Sequence, residues 1–269
     1  MNTEIEKKIL IAGPCSAESE RQTVAAAVMV TSMVQAIIGR DIVEVFIRSP
    51  LTKEPTFPSD WTGPGEKGFR WLIKVCNELG VMPATEVTSV SEAKTIARLC
   101  NKIGVHGIFA WFGSRLFKGE VIKESTEIIK DLPNLHIGVK NPPNENVRDW
   151  EGRVQWALVG GVNEKKIFLI DRGFDPQGRN NPLRLRNIPN EEMTFMLSDK
   201  LGCRRIKDPV HSGGSPEKAL EVLRLSQSKK FNGWMLYASP TPTKTDEKQR
   251  LDEFHFAEAM RIIGRSMNP

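Results

Sequence analysis

A chain of 269 residues with 39% hydrophobic and 26% charged residues has the balance of an ordinary soluble protein and length enough to bury a core. It contains no run of about 18 apolar residues, which argues against a membrane partner, and the N-terminal MNTEIEKKILIAG lacks a signal-peptide layout, which reads as cytoplasmic. The net charge of +5 is scattered among acids rather than gathered into a basic stripe, so nucleic acid is not the expected partner either. A modest positive excess suits an anionic small molecule, and it equally suits solvated helix faces.

In chain order, short apolar runs alternate with longer amphipathic patterns. KKILIAG, IVEVFIR, VMPATEV, HGIFAWF, HIGVKN, KIFLIDRGF, RRIKDP and GWMLYAS read as strands. Their nearly continuous apolarity is that of parallel strands covered on both faces. Helices are predicted over 19–35, 65–80, 89–104, 117–132, 146–161, 190–202, 215–227 and 246–264, several opening on Ser or Asn and several closing on Gly. Eight strand–helix units without a linker predict a single (β/α)8 barrel as one domain. The competitor is a doubly wound open sheet, whose phosphate-binding glycine fingerprint GPCSAES does not match. Of the four cysteines, Cys76 and Cys100 fall in amphipathic helices and read as packing, and Cys203 stands well away from them. Cys15 is different because it follows the first strand directly.

In such a barrel the chemistry lies at the C-terminal strand ends. Reading off polar residues there gives Cys15 after the first strand, Arg48 and then Lys53 after the second, and Glu86 after the third. Arg115, Lys140, Arg172 and His211 follow the fourth to seventh, and Asp246 lies in the loop after the eighth. Any one of these cations can be an ordinary loop residue. Together they make a cation-lined mouth suited to a phosphate ester that also carries a carboxylate. Cys15, His211 and Asp246 form a mixed S, N, O donor set for a divalent metal, with Mn, Fe or Zn favoured over Mg. No local ligand motif is present, and a lone histidine after a strand is often structural.

GPCSAES, the VKN of strand five, DRGF and DPVHSGG together resemble the 3-deoxy-7-phosphoheptulonate (DAHP) synthase family, which includes the related 3-deoxy-octulosonate 8-phosphate synthases. The resemblance runs from about Ile9 to the helix after Asp246. It implies a (β/α)8 barrel that condenses phosphoenolpyruvate with a sugar phosphate, most simply erythrose 4-phosphate. It also implies that Arg48, Lys53, Arg115, Lys140 and Arg172 hold phosphoenolpyruvate and that Cys15 and His211 are metal ligands. Lys140 is then the candidate proton donor or acceptor, Glu86 the residue that orients water, and Lys53 a further catalytic cation.

The departures from the family pattern are as informative. Its Lys-Pro-Arg-Thr grip on the aldose phosphate falls on Lys53-Glu54-Pro55-Thr56, keeping the lysine and Thr56 but placing Pro55 at the arginine position. Its metal-binding glutamate near the end of strand eight falls on Tyr237, the following histidine on Ser239, and Asp246 matches the last ligand only across a shortened loop. Arg179, Arg184 and Arg186 form a basic run after strand six that offers to rebuild acceptor phosphate binding, or else a solvated loop. Three readings stay open: a DAHP synthase with an altered metal shell, a phosphoenolpyruvate-dependent synthase with another aldehyde acceptor, and a non-catalytic descendant that binds phosphoenolpyruvate. The resemblance further implies a homo-oligomer, and the early first strand leads us to expect no regulatory domain.

Overall fold

The computed structural model describes residues 7–52, 62–116, 118–244 and 247–267. Within them β1 (Lys8–Gly13), β2 (Val43–Arg48), β3 (Met82–Glu86), β4 (Ile108–Phe112), β5 (Leu135–Lys140), β6 (Ile167–Asp171), β7 (Arg204–Lys207) and β8 (Gly233–Tyr237) follow one another as eight parallel strands. The sheet closes on itself because β1 pairs with both β2 and β8. It is the (β/α)8 barrel that the sequence pattern predicts.

Helices cover the outside: α1 (Glu20–Ile37), α2 (Glu66–Leu79), α3 (Val90–Ile103), α4 (Gly119–Ile129), α5 (Val147–Val159), α6 (Glu191–Leu201), α8 (Pro216–Leu225) and α9 (Glu253–Met267). The predicted starts are real caps. Ser19, Ser89, Asn146, Asn190 and Ser215 each accept a hydrogen bond from a first-turn backbone N–H. No helix among the described residues is long and apolar enough to cross a membrane. Cys76 and Cys100 pack in the outer core, as expected of amphipathic helices, and burial pushes the Cys100 thiol up to about 12.

Two elements depart from the sequence expectation. The helix expected over 246–264 is broken: Glu247–Gln249 form a short 3-10 turn, and α9 begins only at Glu253. Between them Leu251 extends the barrel edge, its N–H donating to Tyr237 O (3.0 Å) while Ser239 N donates to Leu251 O (3.1 Å). A residue bonded into a strand cannot also continue a helix, and Asp252 Oδ1 caps the new start by accepting from His255 N (3.0 Å). The second departure is a short helix immediately after β7, α7 (Pro209–Gly213), capped by Asp208 and carrying His211.

Pleat alternation positions the site. Ile9, Ile11, Phe46, Ala84, Phe109, Trp111, Phe168, Ile170, Ile206 and Met235 point inward and fill the barrel. Intervening strand residues such as Leu10, Ile47, Ile137, Leu169 and Trp234 join the helices in a separate outer core. Two residues beyond the last apolar inward side chain, the alternation lifts Arg48 above Phe46, Glu86 above Ala84, Arg172 above Ile170 and Asp208 above Ile206. Apolar stacking below and polar groups above are therefore one continuous pattern. At the opposite end Arg204 lies over the Phe168 ring at 4.1 Å and contacts His136 Nδ1 at 3.2 Å, so the barrel floor is closed by side chains.

Candidate active site

The strand ends surround a cavity of about 430 Å³, a size suited to a small metabolite. Cys15, Arg48, Glu86, Arg115, Lys140, Arg172, Arg186 and His211 all line it. These are all the predicted site residues that fall among the described ones; Lys53, Thr56 and Asp246 lie outside them. The lining also includes Thr52, Thr88, Ser114, Asp175 and Asn187, which sequence reasoning missed. These carry no signal of their own, because an isolated Ser, Thr or Asn in a loop is compositionally ordinary.

Three of the cations are buried: Arg48 is 2% exposed, Lys140 6% and Arg172 9%. Arg48 lies over the Trp111 ring at 5.2 Å, and its Nε and Nη1 have no hydrogen-bond partner among the described residues. A buried guanidinium with unspent donors is costly unless an anion completes it. Arg172 is held by its own backbone, whose N–H donates to Asn141 Oδ1 (2.8 Å), while Asn141 Nδ2 donates to Gly173 O (2.8 Å). The asparagine of VKN thus fastens the end of β5 to the turn after β6. Burial lowers the Arg172 pKa, Asp208 opposes this, and the neighbouring Arg186 and Arg115 charges lower it further. Such mutual repulsion marks a site that an anion would relieve.

Lys140 reaches Asp208 Oδ2 at 2.9 Å, and Asp208 in turn accepts from His211 Nδ1 (2.9 Å). Burial lowers the Lys140 pKa, with the Asp208 carboxylate opposing and Arg48 adding to the drop. Burial alone would raise the Asp208 pKa, but His211, Lys140 and Arg48 together hold it well below the usual carboxylate range. Burial pushes His211 down to about 4 despite the adjoining carboxylate, so its ring is neutral near pH 7. An ionised carboxylate only accepts, which assigns the single ring proton to Nδ1.

Of the basic run after β6, only Arg186 reaches the cavity. Its N–H donates to Gly213 O (3.3 Å), and Asn187 N donates to Ser212 O (3.0 Å), so the loop is zipped to α7. Gly214, at φ +81°, makes room for it, since a Cβ there would lie 2.7 Å from Arg186 Cβ. Arg179 is spent inside the loop, paired with Glu145 and donating to Pro176 O (3.2 Å) and Asp175 O (2.8 Å). Arg184 is exposed and absent from the lining. Of the three arginines, Arg186 is thus the one placed at the cavity, and Arg179 and Arg184 lie away from it.

The donor set for a metal is incomplete among the described residues. Cys15 and His211 share the cavity, but no group of three His, Cys, Asp or Glu side chains there is placed to hold an ion. At the end of β8 the Tyr237 hydroxyl bonds to the Thr243 hydroxyl, and Thr243 N and Oγ1 both donate to Glu247 Oε2 (2.8 and 3.2 Å). Burial pushes the Tyr237 phenol up, so it stays neutral where a ligand carboxylate is expected. Cys15 and His211 are the two donors of the predicted set among the described residues, and the third, Asp246, lies outside them.

A family model described as the DAHP synthetase I family matches residues 4–118. The phospho-2-dehydro-3-deoxyheptonate aldolase of Thermotoga maritima is 23% identical over 257 residues, spanning 94% of this chain and 68% of the relative. The 2-dehydro-3-deoxyphosphooctonate aldolase of Geobacter sulfurreducens is 22% identical over 205 residues, spanning 76% of this chain and 67% of its own length. A crystal structure of the Thermotoga maritima aldolase superposes with a TM-score of 0.78 at 21% identity, covering 96% of this chain and 68% of that one. A truncated form of the 3-deoxy-D-arabino-heptulosonate 7-phosphate synthase from the same organism gives 0.74 at 20% identity, covering 96% and 85%. At such identities the structural likeness speaks for the fold.

Proposed function

The chain is a divergent member of the superfamily of DAHP and 3-deoxy-octulosonate 8-phosphate synthases, and from that premise we propose that it condenses phosphoenolpyruvate with a phosphorylated aldose. The observation that carries this reading is the convergence of Arg48, Arg115, Lys140 and Arg172 on one cavity, with two buried Arg48 donors unspent. Phosphoenolpyruvate offers a phosphate and a carboxylate to such a set. Bidentate guanidinium pairs in a water-poor cleft would hold both groups and offset the charge they carry.

In the proposed reaction, C3 of phosphoenolpyruvate attacks the aldehyde carbon and the carbonyl electron pair moves to oxygen. The Lys140 ammonium gives its proton to that oxygen. Water, oriented by Glu86, adds at C2 and surrenders a proton to the Glu86 carboxylate. In the resulting hemiketal phosphate the C2 hydroxyl gives its proton to the departing phosphate as the bond from C2 to the bridging oxygen breaks, leaving the ketone and inorganic phosphate. Proximity and general acid–base action are the contributions asked of these side chains.

Glu86 can be tested through its neighbour. A Cβ at Gly113 would strike the Glu86 carboxylate, so Gly113→Ala should keep the fold while swinging that carboxylate aside. We expect kcat to fall roughly 10- to 100-fold with phosphoenolpyruvate affinity unchanged, because a small misplacement suffices. An unaltered kcat would remove Glu86 from the water-orienting role.

Erythrose 4-phosphate is the first acceptor to test, with Arg186 and Thr56 as its proposed anion contacts. Pro55, standing where the family grip has arginine, favours a second reading in which another aldehyde is the acceptor. The test is product mass analysis after incubation with phosphoenolpyruvate and a panel of aldoses, with added manganese and with chelator. A condensed product formed best from erythrose 4-phosphate supports the first reading, and one formed best from another aldose the second. Phosphoenolpyruvate binding with no product from any aldose, under either metal condition, would leave the non-catalytic descendant.

A further inference from the structure

The cavity is built to receive an anion, yet a fully buried carboxylate stands among its cations. Asp208 is 0% exposed, and its oxygens meet Lys140 Nζ (2.9 Å), His211 Nδ1 (2.9 Å) and His211 N–H (3.2 Å). Its charge also acts on Arg172 and is itself acted on by Arg48. For a protein that only binds phosphoenolpyruvate this carboxylate is a liability, since it repels the ligand and spends a cation on an internal partner. A charge that opposes ground-state binding is intelligible where it serves a group that works in the transition state.

Capping does not explain the choice of aspartate. Asp208 is the N-cap of α7 through Oδ1, but asparagine and serine fill that role about as well. What they lack is the charge and the second anionic oxygen. Oδ2 accepts from Lys140, and both oxygens lie against His211 Nδ1 (2.9 Å for Oδ1, 2.8 Å for Oδ2), which holds the imidazole proton there and leaves Nε2 as the unprotonated nitrogen. One carboxylate therefore fixes the direction of the ammonium and the tautomer of the histidine at once.

We infer that Asp208 is a positioning residue for the condensation, aiming Lys140 and orienting His211 at the expense of substrate affinity. The inference rests on the proposed condensation, and the experiment separates the two. Asp208→Asn and Asp208→Ser are compared with the unaltered protein for phosphoenolpyruvate affinity by calorimetry, for kcat by phosphate release, and for melting temperature. Both variants keep a capping side chain, so failure of one to fold leaves the other.

The expected result is phosphoenolpyruvate binding as tight as in the unaltered protein or several-fold tighter, with kcat lowered at least 100-fold. A kcat within threefold would overturn the inference, as would affinity and kcat falling in parallel with the melting temperature, which is the signature of a scaffold residue. If the unaltered protein releases no phosphate with any aldose, the condensation reading fails on its own. The binding measurement then decides for Asp208: tighter binding in the variants supports its placement as an opposing charge, and weaker binding contradicts it.

Discussion

Lys140→Met should lower turnover by about 10³-fold or more, as expected when the proton donor and a substrate-facing charge are removed together. The same change leaves Asp208 without its 2.9 Å partner in a pair whose side chains are 7% and 0% exposed. Breaking a buried pair costs about 3–5 kcal/mol, so the melting temperature should also drop, by roughly 10 °C for a chain of this size. His211 and Arg48 still face the carboxylate, which keeps the fold within reach. Lys140→Arg should not restore turnover, because a guanidinium retains its proton. Burial lowers the ammonium pKa, so as an acid it is lost while pH rises through that lowered value. The alkaline limb of kcat should accordingly lie below the ordinary lysine range. Turnover within tenfold of the unaltered protein in Lys140→Met would contradict the assignment.

Gly13→Ala should be the most damaging small substitution at the first strand end. Gly13 sits at φ +146°, and a Cβ there would lie 2.5 Å from Arg48 O and 3.1 Å from Arg48 N. Those atoms belong to β2, whose ladder with β1 runs through Ile11–Phe46 and Ala12–Ile47, so the backbone has no freedom to withdraw. Backbone strain and overpacking each contribute about 1–3 kcal/mol, a loss of roughly 5–20 °C in melting temperature. The displacement would pass directly to Arg48, so phosphoenolpyruvate affinity should fall with stability. Thermal unfolding and calorimetric titration of one sample read both effects. A variant as stable as its parent would show that the β1–β2 contact is softer than described.

The barrel was legible because parallel strands buried on both faces leave continuous apolar runs, and KIFLID or GWMLY admit few other interpretations. Arg48 and Arg172 were legible for a related reason: each continues an inward-facing series whose lower members are apolar, whereas Lys140 follows His136 and Gly138 on its strand and was legible by its place at the strand end. Asp208 was not. Its meaning comes from Lys140, 68 residues earlier on another strand, and the local pattern presents it as a helix cap. Arg179, Arg184 and Arg186 look alike in sequence, and only tertiary hydrogen bonds separate the one that faces the cavity. The break before α9 is not legible in the sequence because Leu251 fits an amphipathic helix as well as it fits the barrel edge. Tyr237 departs visibly from the family pattern, but its bond to Thr243 belongs to the loop geometry after β8.

The measurement that tests the account most directly is release of inorganic phosphate from phosphoenolpyruvate by the purified protein, with each aldose phosphate added and withheld. The account predicts release that requires an aldose and disappears in Lys140→Met. Release at the same rate without any aldose, or tight phosphoenolpyruvate binding with no release under any condition, would contradict it.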